Sequence, residues 1–167
     1  MKELLKQMAV YNVWAHKKIM DAVLSIPVEK QKAEIPSSFN SLEKTILHMW
    51  DAETAWWQRM KLHERLMIPS ENFKGTTVEA VNGLLSQSAL WEAWVNNVSD
   101  NMLEHVFEFR NKKGDQIKMP IWQMLTHVFN HGTYHRGHLV NMFRQLGVEK
   151  IPGTDFQVTM NVEEAIT

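Results

Sequence analysis

The sequence predicts an all-α protein, an antiparallel four-helix bundle with a small β-hairpin between helices three and four. Three observations support this class. Four segments, each of roughly twenty residues, carry apolar side chains at helical spacing. Residues that start and stop helices bound these segments. Only the stretch between the third and fourth segments alternates apolar and polar residues as a β-strand does.

The first two predicted helices cover residues 3–26 and 42–63. An apolar stripe runs along the first helix, and Pro27 ends it because proline cannot continue a helix. The segment Asn40-Ser41-Leu42-Glu43 is typical of a helix start, since a polar cap is followed three residues later by an acid. A polar connection separates the two helices.

The third helix, the hairpin and the fourth helix follow in order. Helix three is predicted over 77–99, although Gly83 interrupts its pattern. Alternation on both sides of a polar turn predicts the hairpin over 105–119. The fourth helix is predicted over 120–146, because it begins with a proline and Gly147 is a natural stop.

Composition bounds the protein class. The chain of 167 residues is predicted to form one domain, 1–167, whose tail after residue 147 packs on the bundle. With 44% apolar and 22% charged residues it is not a disordered chain, and its net charge of -1 argues against nucleic-acid binding. The lack of cysteine excludes disulfides and thiolate metal sites. No export signal or membrane-spanning run is visible, so we expect a cytoplasmic protein.

Histidines are the unusual feature of this cysteine-free chain, which has 8 of them. On a helical wheel of the fourth helix, His135 falls in the middle of the apolar stripe and His131 on its buried shoulder. The two residues are one turn apart, a spacing at which two imidazoles can share one metal ion. His127 and His138 fall at the flank of the stripe.

A third histidine is available on the second helix. His48 has small neighbours along its helix strip, and these leave room for a ligand: they are Ser41, Thr45, Ala52 and Ala55. Three histidines and an open position form a catalytic metal site, which suits zinc, nickel, copper or iron. The alternative is that these are core histidines held by hydrogen bonds, and the spacing by itself leaves both interpretations open.

The segment 127–138, HVFNHGTYHRGH, followed by Arg144-Gln145-Leu146-Gly147, resembles the C-terminal motif of the DinB family within the DinB/YfiT-like superfamily of metalloenzymes. Residues 11–15, 47–56 and 111–114 resemble the family's first helix, metal segment and hairpin. The family often has Gln where His138 stands. The resemblance implies a four-helix bundle, often dimeric, with a divalent metal, zinc or nickel, bound by three histidines. Carried over to this chain, those ligands are His48, His131 and His135.

The resemblance implies two classes of function. The first is a metal-dependent hydrolase, or a low-molecular-weight-thiol transferase that takes its thiol from a cosubstrate because the chain has no cysteine. The second is a non-catalytic metal-binding module of a stress response. We expect small-molecule ligands and a homodimer. We expect no binding to nucleic acid or to a membrane. The catalytic residues stay unassigned.

Other polar residues on the helices receive structural or supporting interpretations. Asn12 is partly inward, so it is expected either near the site or in an interhelical hydrogen bond. Glu53 lies in the apolar arc of its helix and is expected to have a buried partner, and Arg136 is expected to pair with an acid on a neighbouring helix. Tyr134 and His138 are candidates to offer protons to a substrate. No role is predicted for His16, His63 and His105.

Overall fold

The computed structural model describes residues 1–111 and 113–159, and it confirms the all-α class. The long helices are α1, α3, α4 and α6, and the hairpin joins the last two of them as predicted. The remaining short elements lie where the sequence predicts only connections. In chain order the elements are α1 (Lys2–Leu24), α2 (Val28–Lys32), α3 (Leu42–Met60), a 3-10 turn (Pro69–Asn72), α4 (Thr77–Asn97), α5 (Asp100–Glu104), β1 (Val106–Arg110), β2 (Gln116–Pro120) and α6 (Ile121–Gln145).

Local side-chain bonds explain where α3 and α4 begin. Ser41 caps α3, since its side chain accepts a hydrogen bond from the backbone N–H of Lys44. Thr76 and Glu79 form the reciprocal capping box that opens α4. Both starts agree with the predicted signals.

The end of α3 differs from the prediction. The helix stops at Met60 rather than at residue 63, and Leu62 takes a left-handed backbone conformation with φ of 56°. The side chain of Gln58 then holds the returning chain, accepting from Met67 N at 2.7 Å and donating to Met67 O at 2.9 Å. The loop after α3 therefore folds back along its own helix.

This returning loop decides the topology of the bundle. Both α1 and α3 pack against α4 and α6, so α1 and α3 face each other across the diagonal. Helices α3 and α4 run parallel, because Glu43 bonds to Thr77 at one end and Glu53 to Ser88 further along. Antiparallel packing holds for α1 with α4 and for α3 with α6, whereas α3 with α4 and α1 with α6 are parallel. Residues 61–76, about 50 Å when extended, are long enough for this return.

Parallel α3 and α4 approach closely at Gly83. A Cβ atom at Gly83 would overlap the indole ring of Trp50 on α3. The glycine that interrupts the helical pattern in the sequence is therefore a contact point between the two helices.

We expect the Gly83→Ala substitution to lower the free energy of unfolding by about 1–3 kcal/mol, because the added methyl group overpacks against a rigid indole ring. Urea unfolding followed by circular dichroism measures this. The Gly137→Ala variant is the control: a Cβ at Gly137 meets nothing within 4 Å, so helix propensity alone should stabilise it. Equal stabilisation of both variants would contradict the close contact.

Two apolar clusters fill the ends of the bundle and leave a polar layer between them. One cluster lies where α1 and α6 end and α3 and α4 begin, and the other fills the opposite end. The buried polar side chains at mid-height come from all four long helices: they are Asn12, His16, Glu53, Gln87, Ser88, His135 and Arg136. The predicted histidine site lies in the same layer.

The described part of the tail packs on α1, as predicted. Tyr11 donates a hydrogen bond to the backbone oxygen of Thr154 at 2.8 Å, and its ring meets that of Phe156 edge-on. The rest of the predicted tail, residues 160–167, lies outside the described residues. Within the described ranges, none of the helices has the length and apolarity needed to cross a bilayer.

Candidate metal centre

Three histidines converge at mid-height between α3 and α6. Nε2 of His131 lies 3.2 Å from Nε2 of His48 and 3.1 Å from Nε2 of His135. The candidate ligand atoms of all three residues lie within 4.8 Å of one another. The structure thus brings together the three residues predicted as ligands.

This spacing fits a divalent ion. Two nitrogen ligands of tetrahedral zinc lie about 3.3 Å apart when each Zn–N bond is about 2.0 Å long. The observed Nε2 separations of 3.1 and 3.2 Å are close to that value. Imidazole nitrogens are also ligands that zinc, nickel, copper and iron accept. The donor set and its geometry therefore suit a divalent metal.

Neighbouring rings hold the histidines in place. Phe39, from the loop before α3, stacks on His48 with ring centroids 4.0 Å apart, and it meets His135 edge-on. Tyr134 packs edge-on against His135 from the exposed side. Nδ1 of His135 is buried without a hydrogen-bond partner in the described part of the chain, so the ring is held by its neighbours and by the contact of its Nε2 with His131.

The environment keeps His131 and His135 neutral near pH 7. Burial, followed by the neighbouring His48 and His127, lowers the pKa of His131 to about 4. Burial, followed by His131 and His48, lowers the pKa of His135 to about 3. A neutral imidazole keeps the nitrogen lone pair that a metal ion needs.

These shifts predict that the metal-free protein loses stability in acid. In the unfolded chain both histidines titrate near their ordinary value of 6.5, whereas folded His131 and His135 take up protons only near pH 4 and 3. As pH falls from 6.5, the unfolded state therefore binds more protons and becomes favoured. Urea unfolding of chelator-treated protein at pH 7 and pH 5 measures this loss.

The control for that experiment is a double variant in which Phe replaces both His131 and His135. It lacks the two titrating groups, so its stability should fall less between the same pH values. An equal fall in both proteins would contradict the assignment of the acid sensitivity to this pair.

The flanking histidines lie beside the cluster. The His138 ring is 6.3 Å from that of His135, and its Nε2 is hydrogen-bonded to Ser37 Oγ. The exposed His127 lies one turn before His131, with ring centroids 6.1 Å apart, and packs against Trp56. Both contacts agree with the predicted flank positions.

A buried polar network lies directly behind the ligands. Arg136 Nη1 donates to Asn12 Oδ1 at 2.7 Å and lies 2.8 Å from His16 Nδ1. Asn12 Nδ2 and His16 Nε2 in turn contact Glu53 Oε1 at 3.0 and 3.1 Å. Ser88 Oγ on α4 donates to the second oxygen of Glu53 at 2.7 Å. The network therefore joins all four long helices.

The network refines the sequence interpretation. Glu53 has the buried partners that were predicted, and Asn12 makes an interhelical bond. Arg136 reaches the acid through Asn12 and His16, and the structure shows no direct ion pair between Arg136 and Glu53. No role was predicted for His16, although its position four residues after Asn12 is a usable signal.

The protonation of His16 follows from its partners. Arg136 is only a donor, so His16 Nδ1 accepts from it and Nε2–H donates to Glu53. Burial is the main cause that lowers the pKa of His16, while Glu53 acts in the opposite direction. A neutral imidazole thus bridges the guanidinium and the carboxylate.

Gly132 makes room for this network within the histidine motif. A Cβ atom on Gly132 would lie 2.6 Å from Asn12 Oδ1 and 3.1 Å from Arg136 Nη1. The motif thus interleaves two faces of α6: His131 and His135 face the candidate metal site, while Gly132 and Arg136 face the network.

Comparisons with known proteins agree with this architecture. The model of the DinB family matches residues 1–165. Protein DinB of Bacillus subtilis (strain 168) is 28% identical over 153 residues, which cover 87% of each chain.

Two solved structures share the fold. YfiT from Bacillus subtilis, described as a probable metal-dependent hydrolase with an unusual four-helix bundle topology, superimposes with a TM-score of 0.71 at 14% identity over 89% of this chain and 91% of its own. A DinB-like protein from Bacillus cereus gives a TM-score of 0.64 at 20% identity, covering 83% and 89%. Because the family model spans nearly the whole sequence, the chain belongs to the DinB family.

Proposed function

We propose that this protein is a metal-dependent hydrolase of a small-molecule substrate. The observation that carries the proposal is the convergence of three imidazole Nε2 atoms, from His48, His131 and His135, at the spacing of metal ligands. The structural similarity to YfiT, a probable metal-dependent hydrolase, supports the same class. Zinc or nickel is the proposed ion.

In this proposal His48, His131 and His135 would hold the ion through Nε2. A divalent ion so bound supplies a Lewis acid and lowers the pKa of a water ligand. The low pKa values of His131 and His135 keep both ligands available down to mildly acidic pH. Phe39 and Tyr134 shield the ligand rings from solvent.

His138 is the residue that we propose moves a proton. It lies beside His135, outside the ligand set, and Ser37 Oγ holds its Nε2. An imidazole at this position can donate a proton to the leaving group of a substrate. Tyr134, 68% exposed on the same side, is the second candidate.

A thiol transferase and a non-catalytic metal-binding module are the alternatives. In a transferase, the thiol comes from a cosubstrate because the chain contains no cysteine. In a stress-response module, the metal only stabilises the bundle. The predicted homodimer, the single domain and the cytoplasmic location stay predictions.

An activity screen tests the proposal. Untagged protein is loaded with zinc or nickel and offered a panel of esters and amides, with and without a low-molecular-weight thiol. We expect hydrolysis that a chelator abolishes and added metal restores. Turnover only with the thiol would replace the hydrolase by the transferase, and metal binding without any turnover would favour the non-catalytic module.

A further inference from the structure

Arg59, which has no acidic partner among the described residues, lies on the same strip of α3 as His48. Arg59 is eleven residues after His48, three turns along the helix and about 16 Å along its axis. Ala52 and Ala55 occupy the two positions of this strip between them. Both side chains are small, and Ala55 is buried at 8% exposure, so neighbouring side chains cover this part of the strip.

Aromatic rings hold the Arg59 guanidinium in place. Its Cζ lies 4.8 Å from the ring centre of Trp56 and 5.3 Å from that of Phe109 on the hairpin. Among the residues that the structure describes, no carboxylate lies within ion-pair distance of Arg59. Partial burial lowers its pKa, and no acid counteracts that shift. The rings therefore hold the cation, and within residues 1–111 and 113–159 none of its donors has a hydrogen-bond acceptor.

Space for a ligand adjoins this guanidinium. A surface cavity of about 320 Å³ is lined by Arg59, Phe109 and Arg110, among others. Two acids, Glu64 and Glu108, also border it, but Glu108 is already paired with Lys118 at 3.1 Å. The two arginines can thus meet an anion from the cavity.

Ring contacts connect Arg59 to the candidate metal centre. The Arg59 guanidinium lies over the ring of Trp56. The centroid of that ring is 5.1 Å from the centroid of the His127 ring. His127 in turn lies 6.1 Å from the ligand His131. Trp56 and His127 therefore link the surroundings of Arg59 to the candidate metal centre through consecutive ring contacts.

We propose that Arg59 binds a carboxylate at the far end of an elongated substrate whose reacting end lies at the three histidines. The inference rests on the proposed function, since it assigns the substrate class of the same site. A guanidinium can hold a carboxylate with two parallel hydrogen bonds. The helix geometry requires a substrate that spans roughly 10–16 Å, because the arginine side chain leans back toward the helix start.

The test uses ω-mercaptoalkanoates as probes on cobalt-substituted full-length protein. The thiolate end binds cobalt and produces an absorption band, so a titration yields affinity without any turnover. Mercaptopropionate is too short to reach Arg59, whereas mercaptooctanoate and mercaptoundecanoate are long enough. The corresponding mercapto alcohols are neutral probes of the same length.

We expect each long carboxylate to bind about tenfold or more tightly than its alcohol, since hydrogen bonds to charged groups are the strong ones. The short acid should show no such preference. The Arg59→Gln variant should lose the preference while binding cobalt and the alcohols as before, and Arg59→Lys should keep part of it. Arg65→Gln, at an exposed arginine of the next loop, should change nothing.

The outcomes separate this inference from the proposed function. If cobalt and the alcohols bind but long carboxylates gain nothing, or if Arg59→Gln keeps the gain, the carboxylate site is wrong and the metal site stands. If cobalt does not bind at the histidines, both fail. A gain that Arg59→Gln abolishes together with alcohol binding means that Arg59 only supports the fold, which also overturns the assignment.

Discussion

The His135→Ala variant is expected to lose stoichiometric binding of zinc or nickel, with an affinity lower by more than about 100-fold. Mutating a residue that only supports a metal ligand typically lowers metal affinity by about 10–100-fold. The His135→Ala change removes a ligand itself. The remaining pair, His48 and His131, are 3.2 Å apart at Nε2 but lack the third donor that closes the site. Metal content of untagged protein after dialysis measures the loss, and a competition titration with a chromophoric chelator measures the affinity.

The His63→Ala variant is the matched control, because His63 is an exposed histidine in the loop after α3. It should retain one metal ion per chain. Circular dichroism tests whether both variants are folded. Retention of the metal in both would remove His135 from the ligand set, and loss in both would point to binding elsewhere on the surface.

The Glu53→Ala variant is expected to lower the free energy of unfolding by about 3–5 kcal/mol, the typical cost of removing one partner from a buried charge network. The carboxylate is 3% exposed and accepts from Asn12, His16 and Ser88. Without it, those donors lose their acceptor and the buried guanidinium of Arg136 loses its counter-charge. Urea unfolding of the metal-free protein at pH 7 measures the change.

Two further variants serve as comparisons for the stability of Glu53→Ala. Glu53→Gln keeps the shape and one acceptor oxygen, so its loss should be smaller than that of alanine. Glu104→Ala removes an exposed acid on α5 and should change stability by less than about 0.5 kcal/mol. A Glu53→Ala protein as stable as wild type would mean that the network contributes no net stability.

Local sequence signals account for most of the secondary structure. The capping box at Thr76 and Glu79 and the cap at Ser41 satisfy backbone groups within one turn, so they act without distant partners. The hairpin also forms between neighbouring strands. The predicted end of α3 at residue 63 was wrong, since the stop at Met60 depends on the bonds of Gln58 to the returning loop.

The candidate ligands were predictable for a geometric reason. A helix repeats every 3.6 residues, so the apolar stripe alone places His131 and His135 inward and on one face. His48 required a second inference, from its small neighbours and from the resemblance to the DinB family. The structure brings the three together because α3 and α6 are neighbours in the bundle.

The four helices, the hairpin and the inward pair on α6 are predictable from the sequence, because these features depend on caps and periodicity within a few residues. Three features emerge only when the helices pack: α3 and α4 run parallel, His16 bridges Arg136 and Glu53, and Arg59 lies on the strip of His48 with no carboxylate at ion-pair distance in the described part of the chain. These features depend on which helix faces meet. Periodicity shows that a face is buried, but several partners can bury it equally well, and the choice is made by the packing of the whole chain.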